Sequence, residues 1–288
     1  MVENIPIPLD INYKFNGIKF HDDIHKYYLG NKNLISVTTM LHKYVEPFDE
    51  EFWSEKKALD YDMDQRDIID MWRAWNLKST VKGSAIHNYA ELKYNNKVFK
   101  FTQSDIDKKI TGRYAEILKM YPIIYKEKVD LGIIEKMEGY TILEEYETVK
   151  KYVDNFYNDS YNILIPIKTE YVVYDEEWSL AGMMDIVFWN VKMKCFQIWD
   201  WKTNKEFTKE KGKFNQKLKF PLTKFYDTHI NMYSMQLSAY KSIIMRNTSI
   251  KIEGMYVVWF NEVNPNYEVI KCNDYTEYIP RLIDNQSI

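Results

Sequence analysis

Two carboxylic acids and an amine stand in neighbouring apolar stretches of the chain. Gly182-Met183-Met184-Asp185-Ile186-Val187-Phe188-Trp189 holds one acid, and Phe196-Gln197-Ile198-Trp199-Asp200-Trp201-Lys202-Thr203 holds the other acid and the amine. Aromatic and β-branched residues fill both stretches, and the polar run Asn190 to Lys194 lies between them. They therefore read as two strands of an antiparallel hairpin. Alternation puts Phe196, Ile198, Asp200 and Lys202 on one face, with acid and amine adjacent at the strand's end. The spacing of Asp185 and Asp200 fits two short strands and a turn, which brings both carboxylates to the ammonium. Charged groups at the edge of a core are costly to hold unless they pair or bind a metal. The ordinary alternative is a fraying strand end at which each group reaches water. Carboxylate oxygens of this kind suit a hard divalent cation.

The surrounding stretches must supply the frame. Ile163 to Tyr174 reads as the first core strand, with Glu170 its most tempting acid and an exposed strand position as the alternative. Asp227 to Met245 is an amphipathic helix carrying Gln236 and Tyr240 one turn apart, and Ile250 to Asn261 reads as the closing strand. Ser84 to Tyr94 reads as a helix capped by Ser84, which sets His87 and Glu91 on one face. It is no zinc-protease helix, because the position four residues after His87 is Glu91 where a second histidine is needed. Ser104 to Val129 and Ile142 to Asn158 have helical spacing and are expected to cover the sheet.

Upstream, Gly30-Asn31 suggests a hairpin within residues 13 to 35, and Ser36 to Thr39 offers a helix cap before Met40 to Tyr44. Asp49 to Asp70 carries nine acids against three bases, the pattern of a solvated helical face. His21, His25 and His42 lack cysteine partners or a repeating spacing and read as surface or packing residues. Thr203 to Lys224 has seven lysines, Lys205 and Lys213 among them, against Glu206 and Glu210. Such a run is ordinarily a solvated loop; its attachment to the Asp200 strand also makes it the chain's best candidate for holding phosphates.

Four of these features, in order, resemble the motifs of the PD-(D/E)XK nucleases, and within them the RecB-like exonucleases. Asp185 and Asp200-Trp201-Lys202 match the Asp and (Asp/Glu)-x-Lys of two successive strands. Gly83-Ser84-Ala85-Ile86-His87 matches the upstream Gly-x-x-x-His, and Gln236-Leu237-Ser238-Ala239-Tyr240 the downstream Gln-x-x-x-Tyr. The context Leu180 to Asp185 followed by Ile198 to Thr203 looks most like phage exonucleases and the mitochondrial genome maintenance exonuclease. No Pro precedes Asp185, a departure often met in this branch.

The resemblance implies an α/β fold, a restriction-endonuclease-like mixed β-sheet core flanked by helices, with an N-terminal helical region. It implies hydrolysis of phosphodiester bonds with Mg²⁺ or Mn²⁺, with His87, Asp185 and Asp200 as ligands. A histidine nitrogen tolerates Mn²⁺ better than an all-oxygen cage does. Lys202 would hold the attacking water and lower its pKa, or stabilise developing charge; both roles stay open. Glu91 and Glu170 are helpers. Gln236, Tyr240 and Lys205 are DNA contacts, with bracing or packing as the alternative for Gln236 and Tyr240. Two cysteines are too few for the four-thiolate iron–sulfur cluster of some relatives, so none is expected.

Composition sets the outer limits. At 288 residues, 45% hydrophobic and 16% aromatic, the chain supports a large core and does not read as disordered. With 39 basic against 42 acidic residues, any DNA groove must be local. No cationic leader with an apolar run and no uncharged stretch of about 18 residues occurs. A soluble cytoplasmic protein with no membrane partner is expected. The expected division is an N-terminal hairpin and helical region over 1–159 that contributes His87, a nuclease core over 160–262, and a C-terminal tail over 263–288. The expected function is a metal-dependent DNA exonuclease in recombination, repair or phage DNA processing. Its substrate would be single-stranded DNA or DNA ends, and a recombination or replication protein its further partner. The alternatives are a structure-selective endonuclease and a nucleic-acid-binding module with vestigial catalytic groups.

Overall fold

The computed structural model describes residues 9–284 apart from 22–23, 25, 125, 132–140, 212–214 and 263. In chain order the chain forms β1 (Ile18–His21), β2 (Lys26–Leu29), β3 (Lys32–Ser36), α1 (Val37–His42), α2 (Glu50–Tyr61) and α3 (Gln65–Tyr94). Then follow α4 (Gln103–Lys109), α5 (Gly112–Ile124), α6 (Lys126–Asp130), α7 (Ile142–Ser160), β4 (Leu164–Asp175), β5 (Leu180–Asn190) and β6 (Cys195–Lys202). The last elements are α8 (His229–Asn247), β7 (Ile252–Trp259), β8 (Glu268–Lys271) and α9 (Ile279–Asp284). Two compact units result, one of Met1–Glu46, Asn155–Phe260 and Asn266–Ile288, the other of Pro47–Asp154 with Asn261–Pro265.

The first unit is a mixed eight-stranded sheet in the order β1-β2-β3-β5-β6-β7-β8, with β4 paired to the other edge of β5. Gly30 and Asn31 turn β2 into β3, and Gly30 takes φ +59, a conformation open to glycine without steric cost. Ser36 caps α1 by accepting the Thr39 N–H at 3.0 Å. β5 pairs antiparallel with β4 and β6, whereas β6 pairs parallel with β7. Seven of the eight residues of β6 are buried, as a strand covered on both faces requires. Phe196 and Ile198 join a buried cluster with Met40 of α1 and Leu237 and Ile243 of α8. Trp199 and Trp201 pack on Phe156, with ring centroids 5.5 and 5.6 Å away.

The second unit is helical. Asp49 caps α2 and Asp64 caps α3, each accepting a backbone N–H from the first turn. Between its helices lies a buried ion network in which Glu145 of α7 takes Lys78 at 2.5 Å and Lys82 at 2.9 Å, while Lys82 also reaches Glu262 at 2.6 Å. In the acid-rich stretch Asp70 departs from a solvated face, being buried beside Arg113 at 2.5 Å.

Three expectations are corrected. The helix bearing His87 does not begin at Ser84; α3 runs unbroken through Gly83 and Ser84, since one mid-helix glycine costs only about 1 kcal/mol against alanine. β7 is not the closing strand, because β8 from the expected tail pairs beyond it, with Val257 opposite Ile270. The segments up to Glu46 and from Asn266 group with the sheet rather than with the helical region and a separate tail, while the helical unit ends at Asp154, close to the expected 159/160 boundary. Strand pairing between segments far apart in sequence is the reason. Among the described residues no helix is long and apolar enough to cross a membrane.

Candidate active site

The β5–β6 ladder runs from Asn190↔Cys195 to Ile186↔Trp199 and stops there. One residue further along that register, Asp185 stands level with Asp200. The Trp201 N–H, which points back toward β5, is taken by the Asp185 carboxylate instead, at 2.6 Å from Oδ2. A side chain thus replaces a ladder bond where the strands part, and both acids are buried, Asp185 at 8% and Asp200 at 2% exposure.

Glu170 completes the row. Its neighbours pair as Thr169↔Ile186 and Tyr171↔Met184, so it stands level with Asp185 on the opposite edge of β5. A carboxylate oxygen of Glu170 lies within 4.8 Å of one of Asp185, although Glu170, Asp185 and Asp200 do not all come that close to one another. Glu170 holds φ +44 in the middle of a strand, a strained conformation for a residue with a side chain, costing about 1–3 kcal/mol. Burial and the Glu170 carboxylate together push Tyr27 of β2 up to about 12.

Lys202 sits two residues beyond Asp200 on the same face, and its ammonium bonds Asp200 Oδ2. Burial alone would lower its pKa. The Asp200 carboxylate, the Tyr233 hydroxyl and the Asp185 carboxylate more than offset that and hold it above the ordinary lysine value. The ammonium lies 4.7 Å from the Tyr233 ring centroid, on the electron-rich face that attracts a cation. The Tyr233 hydroxyl donates to Asn204 Oδ1 at 2.8 Å, and the Asn204 carbonyl accepts the Trp259 indole N–H at 2.7 Å. These bonds fix the chain as it leaves β6.

α8 is held close to β5 by the absence of a side chain. A Cβ on Gly182 would lie 2.3 Å from Tyr240 Cε1, so only glycine lets the ring rest there. Tyr240 is buried, its hydroxyl accepts the Gln236 side-chain N–H at 3.1 Å, and burial raises its pKa strongly. Tyr240 therefore braces Gln236 one turn before it.

The donor set fits a hard divalent cation. Two buried carboxyl groups, Asp185 and Asp200, and the half-buried Glu170 share one row with one ammonium, so an ionised row keeps excess negative charge that such a cation balances. Among the described residues of this unit, Glu170 and Asp185 bring carboxylate oxygens close enough to share it, with Asp200 level with Asp185 on β6.

His87 lies half-buried on α3 of the helical unit, and Glu91 one turn on accepts from the Asn95 amide at 3.4 Å. Lys205 is exposed just after β6; Lys209 pairs with Glu268, and Lys219 with Glu46 at 3.2 Å. Lys213 and His25 lie outside the described residues. Tyr27, Asn204 and Tyr233 went unread in the sequence. For Tyr233 a signal existed, since 233, 236 and 240 are spaced by three and four along one helix face. For Tyr27 none did, because β2 reaches this row only through the tertiary pairing of β3 with β5.

No protein-family model matches the chain. No curated protein matches it either. One solved structure, the crystal structure of SSO0001, is similar at 15% identity and a TM-score of 0.24, over 68% of this chain and 80% of its own.

Proposed function

We propose that this chain is a divalent-metal-dependent deoxyribonuclease that degrades DNA from an end. The observation that carries the reading is the row of Glu170, Asp185 and Asp200 across three adjacent strands, with the Lys202 ammonium on Asp200. The order of motifs from Gly83 to Tyr240 supports it by resemblance. In this reading Asp185, Asp200 and Glu170 hold Mg²⁺ or Mn²⁺, and His87 is assigned to the same ion by resemblance. Such an ion, when bound, neutralises the charge of a phosphodiester and of its transition state. Lys202, kept protonated by its neighbours, donates: it orients the attacking water's oxygen or stabilises charge developing on the phosphate. Tyr233 and Asn204 keep that ammonium in place. Lys205 and the exposed lysines after it meet the phosphates of the strand, and Gln236, braced by Tyr240, a nearby sugar or base.

The test uses purified protein with Mg²⁺ or Mn²⁺ and end-labelled DNA, single- and double-stranded. A linear single strand is set beside the same strand covalently closed. Degradation of the linear form with the circle intact is the expected result. Equal loss of both would replace the exonuclease by an endonuclease, and no cleavage under any metal would leave a binding module.

A further inference from the structure

The segment that leaves Lys202 is fastened a second time, at Thr208. The Thr208 N–H donates to His229 Nδ1 at 3.0 Å, and the Thr208 hydroxyl lies 2.9 Å from the same nitrogen. In return Thr208 Oγ1 accepts the His229 backbone N–H at 3.0 Å, and the Thr208 carbonyl accepts the Ile230 N–H at 3.2 Å. One residue of the loop thus satisfies two amides at the start of α8 that would otherwise lack partners. Phe207 fills the gap, with ring centroids 5.9 Å from His229, 5.7 Å from Tyr233 and 5.5 Å from Trp259. Tyr233 is the ring beneath the Lys202 ammonium.

We propose that Thr208 and His229 form a pH-sensitive clip that holds residues 203–211 on α8, with His229 the positioning residue for Lys202 and the lysines that follow. Nδ1 accepts an amide proton, so the neutral ring is the form that closes the clip. A proton on Nδ1 opposes the Thr208 N–H; the hydroxyl can turn to accept it, and the amide cannot. Asp227, just before α8, and Glu206 of the loop are the charged groups acting on the ring, and His42 of α1 acts on Asp227. Burial outweighs both acids and holds His229 below the ordinary histidine value. A depressed histidine stabilises the clipped state above the unclipped value, about 6.5, and the effect is lost as pH falls through the lower clipped value. The clip stands without the nuclease reading; its effect on catalysis rests on that reading.

Amide hydrogen exchange of the metal-free, DNA-free full chain between about pH 8 and about pH 5 tests it, with rates corrected for intrinsic chemistry. In the wild type, Thr208 protection is expected to fall by up to about tenfold per pH unit below about pH 6.5 and to level off where the clipped ring itself takes its proton. In His229→Asn, which keeps an oxygen acceptor near Nδ1 and takes no proton, protection is expected to stay level. The ring-nitrogen NMR titration of wild-type His229 should fall at the pH where that loss levels off and needs no variant. A ring titration away from that levelling, or the same pH dependence in both proteins, would overturn the clip whether or not the chain cuts DNA. If it does cut, the acid limb of its rate profile should move to lower pH in His229→Asn.

Discussion

Asp185 accepts the Trp201 backbone N–H at 2.6 Å at the point where β5 and β6 part, so one carboxylate both lines the site and ends the sheet. Its two roles separate by substitution. Asp185→Asn keeps an acceptor for Trp201 and should remain folded within about 1 kcal/mol of the wild type. Asp185→Ala leaves a buried N–H unpaired and should cost about 1–3 kcal/mol in denaturant unfolding. Both should lose about 10²-fold or more in cleavage. An active Asp185→Asn would remove Asp185 from the chemistry.

Glu170 trades backbone strain for position. Asn tolerates positive φ better than Glu and carries no charge, so Glu170→Asn should unfold at the same or a slightly higher temperature, by up to about 1 kcal/mol. Cleavage should fall more than tenfold, about 1.4 kcal/mol in barrier. Full activity with unchanged stability would make the strain incidental.

The contact of Gly182 with Tyr240 sets how closely α8 approaches β5. Gly182→Ala should destabilise by about 1–3 kcal/mol through overpacking. In a Tyr240→Leu background the same change should cost less, because the ring it meets is gone, and a double-mutant cycle reads the difference. Additive costs would mean that the ring yields freely.

Lys202 titrates in the opposite sense from a catalytic base tuned to neutrality. Its pKa is raised, so the stability its ion pair contributes is complete below the unfolded value, about 10.4, and is lost only as pH rises through the higher folded value. The rate profile should therefore show no alkaline limb from this group up to about pH 10. An alkaline limb near neutrality that disappears in Lys202→Met would assign it a base role. Lys202→Arg should not rescue, since a planar fork cannot replace a compact ammonium between Asp200 and the Tyr233 ring.

The sequence by itself determined the local elements of the sheet unit and the pairing of its two acids. Period-two alternation of the backbone and one polar turn between two near-continuous apolar runs specify the hairpin from Gly182 to Thr203, because strands buried on both faces can turn only where polar residues reach water. Asp200 and Lys202 follow from the same alternation, as does the Gly30-Asn31 turn from the backbone freedom of glycine. Glu170 was legible only as an acid on a strand. Its place beside Asp185 depends on the register of β4 against β5 and on a positive φ that no local pattern announces. Tyr27, Tyr233 and the Thr208–His229 bonds are likewise decisions of the tertiary structure. So is the joining of β1–β3 and β8 to one sheet, since strand edges carry no label in the sequence and find partners only when the chain closes on itself. α3 shows the same division of labour: Gly83 and Ser84 read locally as a helix start, and the packing of Val81, Ala85 and Ile86, all buried, carries the helix through them.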